Sequence, residues 1–173
     1  PMHWTAQLSR TGRINPVVNP EVDTFSKQPE SKHTPVEVSA YDAQWFGFVL
    51  SRHPIKWPDS EYLVSAQGVQ HTRLELADRN PLGDPLQTMM AWLGFDSVAQ
   101  IEAQELELLS FEDKASGLFR LALMNQQGQL EAVVMIAPDT QLPERTWLAS
   151  QFAKDTLNAR ARAALLSGYA PAG

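Results

Sequence analysis

The sequence predicts an α+β fold, namely a small domain with a mostly antiparallel sheet and C-terminal helices. The first observation is a series of three apolar runs between residues 105 and 138, separated by short turns that contain glycine. The second is a set of helix-start signals at Asp84-Pro85, Leu142-Pro143 and Asn158. The third is the composition: 173 residues, of which 43% are hydrophobic and 20% charged, suit one globular domain with or without an arm.

The strands predicted ahead of the first helix are Thr34–Val38, Trp45–Leu50, Glu61–Val64 and His71–Ala77. The second of them is apolar and aromatic throughout, which is typical of a strand buried on both faces. The last alternates polar and apolar residues, and we expect His71 at its edge to lie on the surface. The pattern leaves open whether Trp45, Phe46, Phe48 and Trp57 belong to the core or to an interface.

The first predicted helix has Asp84 as its N-cap and Pro85 at its first position, and it runs to Leu93 with Gly94 as its C-terminal stop. Its apolar residues follow helical spacing. Ser97 is predicted to cap a second, short helix. The strands of the antiparallel meander are Glu107–Phe111, Leu118–Asn125 and Gln129–Ile136. The last two helices are one from Leu142-Pro143 through about Lys154 and one that Asn158 caps and that ends before Gly168.

The N-terminal part of the chain differs from the rest in composition and charge. Residues 5–34 are rich in proline and in Asn-Pro pairs, which predicts an ordered loop or extended arm with little regular structure. Residues 1–56 carry a net charge of about +1, whereas the remainder is strongly acidic. Because the chain opens in the middle of a motif-like stretch, we expect it to be a piece of a longer polypeptide.

Composition excludes several classes of function. The net charge of -6 and the isoelectric point of 5.2 argue against a nucleic-acid partner or a basic membrane-surface role, since both need a positive field. The chain has no cysteine, which excludes thiolate nucleophiles, cysteine zinc sites and cysteine-ligated iron–sulfur clusters within it. No apolar run approaches the roughly 20 residues that a membrane span needs, and no signal peptide is visible.

The residue patterns indicate neither a catalytic centre nor a metal site. The histidines His3, His33, His53 and His71 do not pair at i, i+4, and no HExxH, GxSxG, GxGxxG or phosphate-loop motif is present. The carboxylates at Glu102, Glu105, Glu107 and Glu112-Asp113 are expected on solvated faces. Met89, Met90 and Trp92 are expected in the helix core.

Three N-terminal stretches carry a family resemblance. They are Pro1-Met2-His3-Trp4, the loop with Asn15 and Asn19, and Ser31-Lys32 ahead of the predicted strand at Thr34–Val38. This order resembles the C-terminal end of the molybdopterin-guanine-dinucleotide-binding domain of the nitrate reductase and formate dehydrogenase family. The resemblance implies that Asn15 and Lys32, together with Ser31, face the pterin dinucleotide, with His3 and Trp4 as further candidates. Ser31 departs from the Tyr or Phe that is usual there, and Thr24-Phe25 replaces the usual proline.

The later part of the chain resembles the extension that follows this domain in bacterial assimilatory nitrate reductases. The resemblance rests on Phe111-Glu112-Asp113, on Gly128–Ala132 and on Trp147-Leu148-Ala149. The meander is also similar to a sheet module of NAD(P)H-dependent nitrite reductases. The domain division implied is 1–40 as the C-terminal end of the β-barrel domain that binds the molybdopterin dinucleotide and 41–173 as an α+β C-terminal extension domain.

The resemblance implies that the parent enzyme reduces nitrate to nitrite in the cytoplasm and that this fragment is inactive alone. It implies a bis-molybdopterin guanine dinucleotide with molybdenum, of which only part of the site lies here, and iron–sulfur clusters elsewhere in the parent. The expected partners are the remainder of the parent chain and an electron-donor domain or subunit. Alternatives are the same family with formate as substrate, or a non-enzymatic module that dimerises through Trp45–Leu50 and the 107–136 meander.

Overall fold

The described part of the chain forms one antiparallel sheet of seven strands. A computed structural model describes residues 3–8 and 43–172. The strands are β1 (His3–Leu8), β2 (Trp45–Ser51), β3 (Tyr62–Gln67), β4 (Thr72–Asp78), β5 (Glu107–Asp113), β6 (Leu118–Met124) and β7 (Leu130–Ala137). Their order across the sheet is β1-β3-β4-β2-β7-β6-β5, and every neighbouring pair is antiparallel.

Within residues 3–8 and 43–172, four short helices cover the two faces of the sheet. They are α1 (Pro85–Trp92), α2 (Val98–Ala103), α3 (Arg145–Gln151) and α4 (Ala159–Ala164). Residues of α1 and α2, including Met89 and Ile101, share one buried cluster with the sheet, and Leu148 of α3 belongs to the other. The α+β prediction is confirmed, and Met89, Met90 and Trp92 are core residues as expected. Among the described residues, no helix has the length and apolar character that a membrane crossing requires.

Strand β2 lies at the centre of the sheet, between β4 and β7. Phe48 stands opposite Glu75 on one side and opposite Met135 on the other, and its side chain is fully buried. The prediction of a strand buried on both faces is therefore confirmed. Trp45 and Phe48 are core residues and Phe46 is half-buried, whereas the side chain of Trp57 in the following loop is 55% exposed.

The predicted meander is present as β5, β6 and β7 in consecutive pairing. Gly117 and Gly128 occupy the two connecting turns with φ values of +72° and +80°, a conformation in which glycine avoids the strain of a side chain. In the second turn the Asn125 side-chain oxygen accepts hydrogen bonds from the amides of Gln127 and Gln129 at 2.9 and 3.0 Å. This asparagine fixes the hairpin locally, which explains why sequence patterns locate it well.

Two of the predicted helix caps are present, and two helix starts differ from the prediction. The Ser97 hydroxyl accepts from the Gln100 amide at 3.2 Å, and the Asn158 side chain accepts from the Ala161 amide at 2.8 Å. Asp84 precedes α1 without a side-chain cap bond. Helix α3 begins only at Arg145, later than predicted, because Glu144 before it has a ψ of 140°, which is outside the helical range.

The prediction of a loop over residues 5–34 is wrong for residues 5–8, which belong to β1. This strand pairs with β3 in antiparallel register, with His3 opposite Gln67 and Leu8 opposite Tyr62. The pairing provides hydrogen-bond partners for the amide and carbonyl groups along the edge of β3, which would otherwise be exposed. The predicted strand at residues 34–38 lies outside the described residues, and the division at residues 40 and 41 stays a prediction.

Candidate functional site

The residues predicted to face a pterin dinucleotide fall in two places. His3 and Trp4 lie in β1, where their backbones stand opposite Gln67 and Ala66 of β3. Asn15, Ser31 and Lys32 lie outside the described residues. The described structure therefore positions two of the five predicted site residues, by backbone alone, beside the end of the β3–β4 hairpin.

Four of the five carboxylates on the predicted solvated faces are exposed as expected. Glu102, Glu105, Glu107 and Glu112 are exposed, and Asp113 is half-buried at the start of the β5–β6 turn. Hydrogen bonds from Ser116 lower the pKa of Asp113, which marks this carboxylate as a turn cap. Within residues 3–8 and 43–172, no group of three or more His, Cys, Asp or Glu side chains could hold a metal ion.

His71 contradicts the prediction of a surface histidine, because only 8% of the residue is exposed. Its ring stacks on Phe152, with 4.9 Å between ring centroids and an interplanar angle of 18°. Room for the ring comes from Gly68, where an added Cβ would lie 3.0 Å from the His71 Cε1 atom. Burial, with the nearby charges of Arg73 and Arg52, lowers the pKa of His71, so the ring is neutral at neutral pH.

A cleft of about 410 Å³ opens beside this histidine, between the β3–β4 turn and helix α3. Most of its walls are small or apolar. The lining residues are Gly68, Val69, Gln70, His71, Arg73, Arg145, Thr146, Ala149, Ser150 and Ala153. Sequence patterns did not indicate this cleft, because its two walls come from segments more than 70 residues apart in the chain.

Two arginines of the cleft share one carboxylate, and we call the three the Arg73–Glu75–Arg145 cluster. Arg145 donates through Nη2 to Glu75 Oε1 at 2.6 Å and through Nε to Oε2 at 3.0 Å. Arg73 donates through Nε to the same Oε2 atom, also at 3.0 Å. The guanidinium of Arg145 also donates to the Pro143 carbonyl at 2.7 Å and lies 4.3 Å from the Phe48 ring centroid. These contacts fix Arg145. The cluster contains two guanidinium groups and one carboxylate, so its own formal charge is positive.

A second set of polar residues, Arg52, His53, Asn125 and Glu131, connects the central strands with the turn after β6 and with the end of α3. Glu131 is buried, lies 2.6 Å from His53 Nε2 and accepts a hydrogen bond from Asn125 Nδ2 at 2.6 Å. Arg52 donates to the carbonyl oxygens of Leu130, at 2.8 Å, and of Phe152. Because these groups satisfy one another, we interpret them as structural connections between the sheet and α3.

The chemistry around the cleft suits binding better than covalent catalysis. The Ser150 hydroxyl donates to the Trp147 carbonyl at 2.6 Å, so its proton is committed to the helix backbone rather than to His71. His71 Nε2 is buried and makes no hydrogen bond with the described residues. What the cleft offers is a fixed guanidinium, an excess positive charge and small apolar walls.

Comparison with known proteins relates the chain to one class of enzyme. No protein-family model matches it, and no solved structure matches it. It is 40% identical over 76 residues to a nitrate reductase of Klebsiella oxytoca and 38% identical over 52 residues to a nitrate reductase of Shewanella frigidimarina. These stretches cover 43% and 30% of this chain but only 9% and 6% of the two relatives. The chain is thus similar to parts of two nitrate reductases and spans less than a tenth of their length.

Proposed function

We propose that this chain is the C-terminal region of the catalytic subunit of a molybdenum-dependent assimilatory nitrate reductase, which reduces nitrate to nitrite. The observation that carries the proposal is the similarity to two nitrate reductases over less than a tenth of their length. The same comparison gives no support to formate as the substrate. In this proposal most of the enzyme, with the reaction centre, lies in the rest of the parent chain.

The fragment alone is not catalytic in this proposal. It has no cysteine, so the cysteine ligands of iron–sulfur clusters belong to the remainder of the parent. The part of the chain that the structure describes also lacks a cluster of potential metal ligands. The fragment then contributes binding groups and a folded module, and the parent supplies electron transfer to nitrate.

The binding groups that we propose for a bis-molybdopterin guanine dinucleotide are Asn15, Ser31 and Lys32, with His3 and Trp4. An ammonium group suits phosphate, and amide and hydroxyl groups can both donate to and accept from the pterin edge, so the donor chemistry of these residues fits the group. When bound, the cofactor supplies the molybdenum for oxygen-atom transfer. The chain's own contribution is to bind and orient the dinucleotide from one side.

Residues 43–172 form the second contribution, a docking or structural module. Its partners in this proposal are the body of the reductase and an electron-donor domain or subunit. The alternative of a non-enzymatic dimerisation module loses part of its proposed face, because Phe48, Val49 and Leu50 are fully buried at the centre of the sheet. Among the described residues β5 is the outermost strand of the meander, so its edge is the part of the proposed face that is left for a second copy.

The proposal is tested in cells of the source organism grown with nitrate or with ammonium. An antibody against the fragment should detect a nitrate-dependent protein much larger than 19.3 kDa that carries molybdenum and iron. In the purified full-length enzyme, Lys32→Ala and Asn15→Ala should lower the molybdenum content. Lys154→Ala, at an exposed position after α3, is the matched control and should leave it unchanged.

Two results would count against parts of this proposal. A metal-free band at 19.3 kDa under both conditions would contradict the parent enzyme itself. Full molybdenum content in the Lys32→Ala and Asn15→Ala enzymes would leave the parent intact but contradict the role of these residues at the cofactor.

A further inference from the structure

The cleft between the β3–β4 turn and α3 has no part in the proposed nitrate reductase function. We propose that this cleft binds a small organic anion, with Arg145 contacting the anionic group and the small side chains of α3 and of the turn contacting its apolar body. The inference stands on the described residues alone and does not depend on the identity of the parent enzyme.

The size and lining of the cleft are those of a small-molecule site. Its volume of about 410 Å³ lies within the range of roughly 300–1,000 Å³ that is typical of ligand pockets. Gly68, Val69, Ala149 and Ala153 provide small or apolar walls, and the six other lining residues carry polar side chains, of which two are arginines. Such a lining accommodates an apolar body and leaves orientation to a small number of charged groups.

Arg145 is a preorganised donor for the anionic group. A guanidinium carries five N–H groups. In the described structure three of those of Arg145 donate, two to Glu75 and one to the Pro143 carbonyl. Two N–H groups therefore remain on an arginine that lines the cleft and is already held in place by a carboxylate and by the Phe48 ring. A fixed donor costs little conformational entropy when a ligand binds.

The local charge selects an anion over a cation. The Arg73–Glu75–Arg145 cluster carries two positive charges and one negative charge, in a chain whose net charge is -6. His71 forms part of the same wall as a neutral ring, with a buried Nε2 that lacks a hydrogen-bond partner among the described residues. A cationic ligand would meet the excess positive charge, whereas an anion neutralises it.

The test uses the full 173-residue chain labelled with ¹⁵N and three probes. Benzoate supplies an apolar ring with an anionic group, benzylamine supplies a similar ring with a cationic group, and inorganic phosphate supplies an anion without a ring. Benzoate should shift the amide signals of Gly68–His71 and of α3 in a saturable way, with millimolar affinity as expected for so small a ligand. Benzylamine should not shift them.

Val69 allows the charge of the rim to be changed without disturbing the core, since it is 87% exposed. Val69→Asp should weaken benzoate binding by roughly two- to threefold and Val69→Lys should strengthen it by a similar factor. The matched control is Val98→Asp, at an exposed valine of α2 on the opposite face of the sheet, which should leave the affinity unchanged. Ala149→Trp should block the cleft.

The outcomes separate the two features of the proposed ligand. Benzoate binding that is weakened by Val69→Asp and strengthened by Val69→Lys supports the proposal. Phosphate binding that shifts the same amide signals also supports it and indicates that an anionic group is enough for binding. Equal binding of benzoate and benzylamine would overturn it, because the walls alone would then account for binding. Absence of saturable shifts with benzoate would overturn it as well, whatever the outcome of the nitrate reductase experiments.

Discussion

Replacing Glu75 by Gln tests whether the carboxylate holds the Arg73–Glu75–Arg145 cluster together. The change keeps the size and shape of the side chain but removes the charge between two guanidiniums. Three hydrogen bonds to a charged acceptor, at 2.6, 3.0 and 3.0 Å, are lost or weakened. The two arginines then repel each other without a shared counterion, and we expect the free energy of unfolding to fall.

The expected loss follows from how far the cluster is buried. The side chains of Glu75 and Arg145 are 21% and 19% exposed, which is intermediate between a surface ion pair and a buried one. Exposed pairs contribute at most about 1 kcal/mol, whereas breaking a buried pair costs about 3–5 kcal/mol. We therefore expect Glu75→Gln to lower the free energy of unfolding by about 2 kcal/mol.

Urea denaturation monitored by tryptophan fluorescence measures this difference. With a urea dependence of about 2 kcal/mol per molar, the midpoint should fall by about 1 M. Glu112→Gln, at an exposed glutamate of β5, is the control and should leave the midpoint unchanged. A Glu75→Gln midpoint equal to that of the unmodified chain at low salt would refute the account of the cluster.

Two further perturbations follow from His71 and Gly168. The pKa of His71 in the folded chain lies below its ordinary value of 6.5, so the stabilisation from the neutral ring is complete above pH 6.5 and declines as the pH falls below 6.5. The free energy of unfolding should therefore fall more steeply with decreasing pH in the unmodified chain than in His71→Gln, by at most about 1.4 kcal/mol per pH unit. Gly168→Ala should lower stability in urea by about 2–4 kcal/mol, because the residue has a φ of +81° and an added Cβ would lie 2.5 Å from Pro143 Cγ. The control Gly83→Ala, with a φ of +85° and open space around its Cβ, should lose only about 1 kcal/mol. Equal losses in the two glycine variants would contradict the close approach of Gly168 to Pro143.

Local signals allowed much of the fold to be predicted. The continuous apolar run of β2, the asparagine turn between β6 and β7, and the caps at Ser97 and Asn158 each depend on residues close together in the chain. Interactions of this kind can be predicted from the spacing and the type of neighbouring residues. The related enzymes also agree with the family resemblance at the level of nitrate reductase.

The remaining features depend on contacts between distant segments. The burial of His71 requires Phe152 from beyond α3, and the fixed position of Arg145 requires Glu75 from β4. The type of each of these residues is known from the sequence, but local patterns do not indicate which distant residues come into contact. The pairing of β1 with β3 was missed for the same reason, because the edge that it completes exists only after the sheet has formed.

The central place of β2 has a consequence for synthesis of the chain on the ribosome. Its pairing with β7 joins Phe48 to Met135. At a translation rate of about 5–20 residues per second, the roughly 90 residues between them take about 4–18 seconds to emerge. During that interval one side of an apolar strand with the sequence Trp-Phe-Gly-Phe-Val-Leu lacks its final neighbour. The nascent chain is therefore expected to need a chaperone, and a ribosome stalled between β2 and β7 should expose this strand to one.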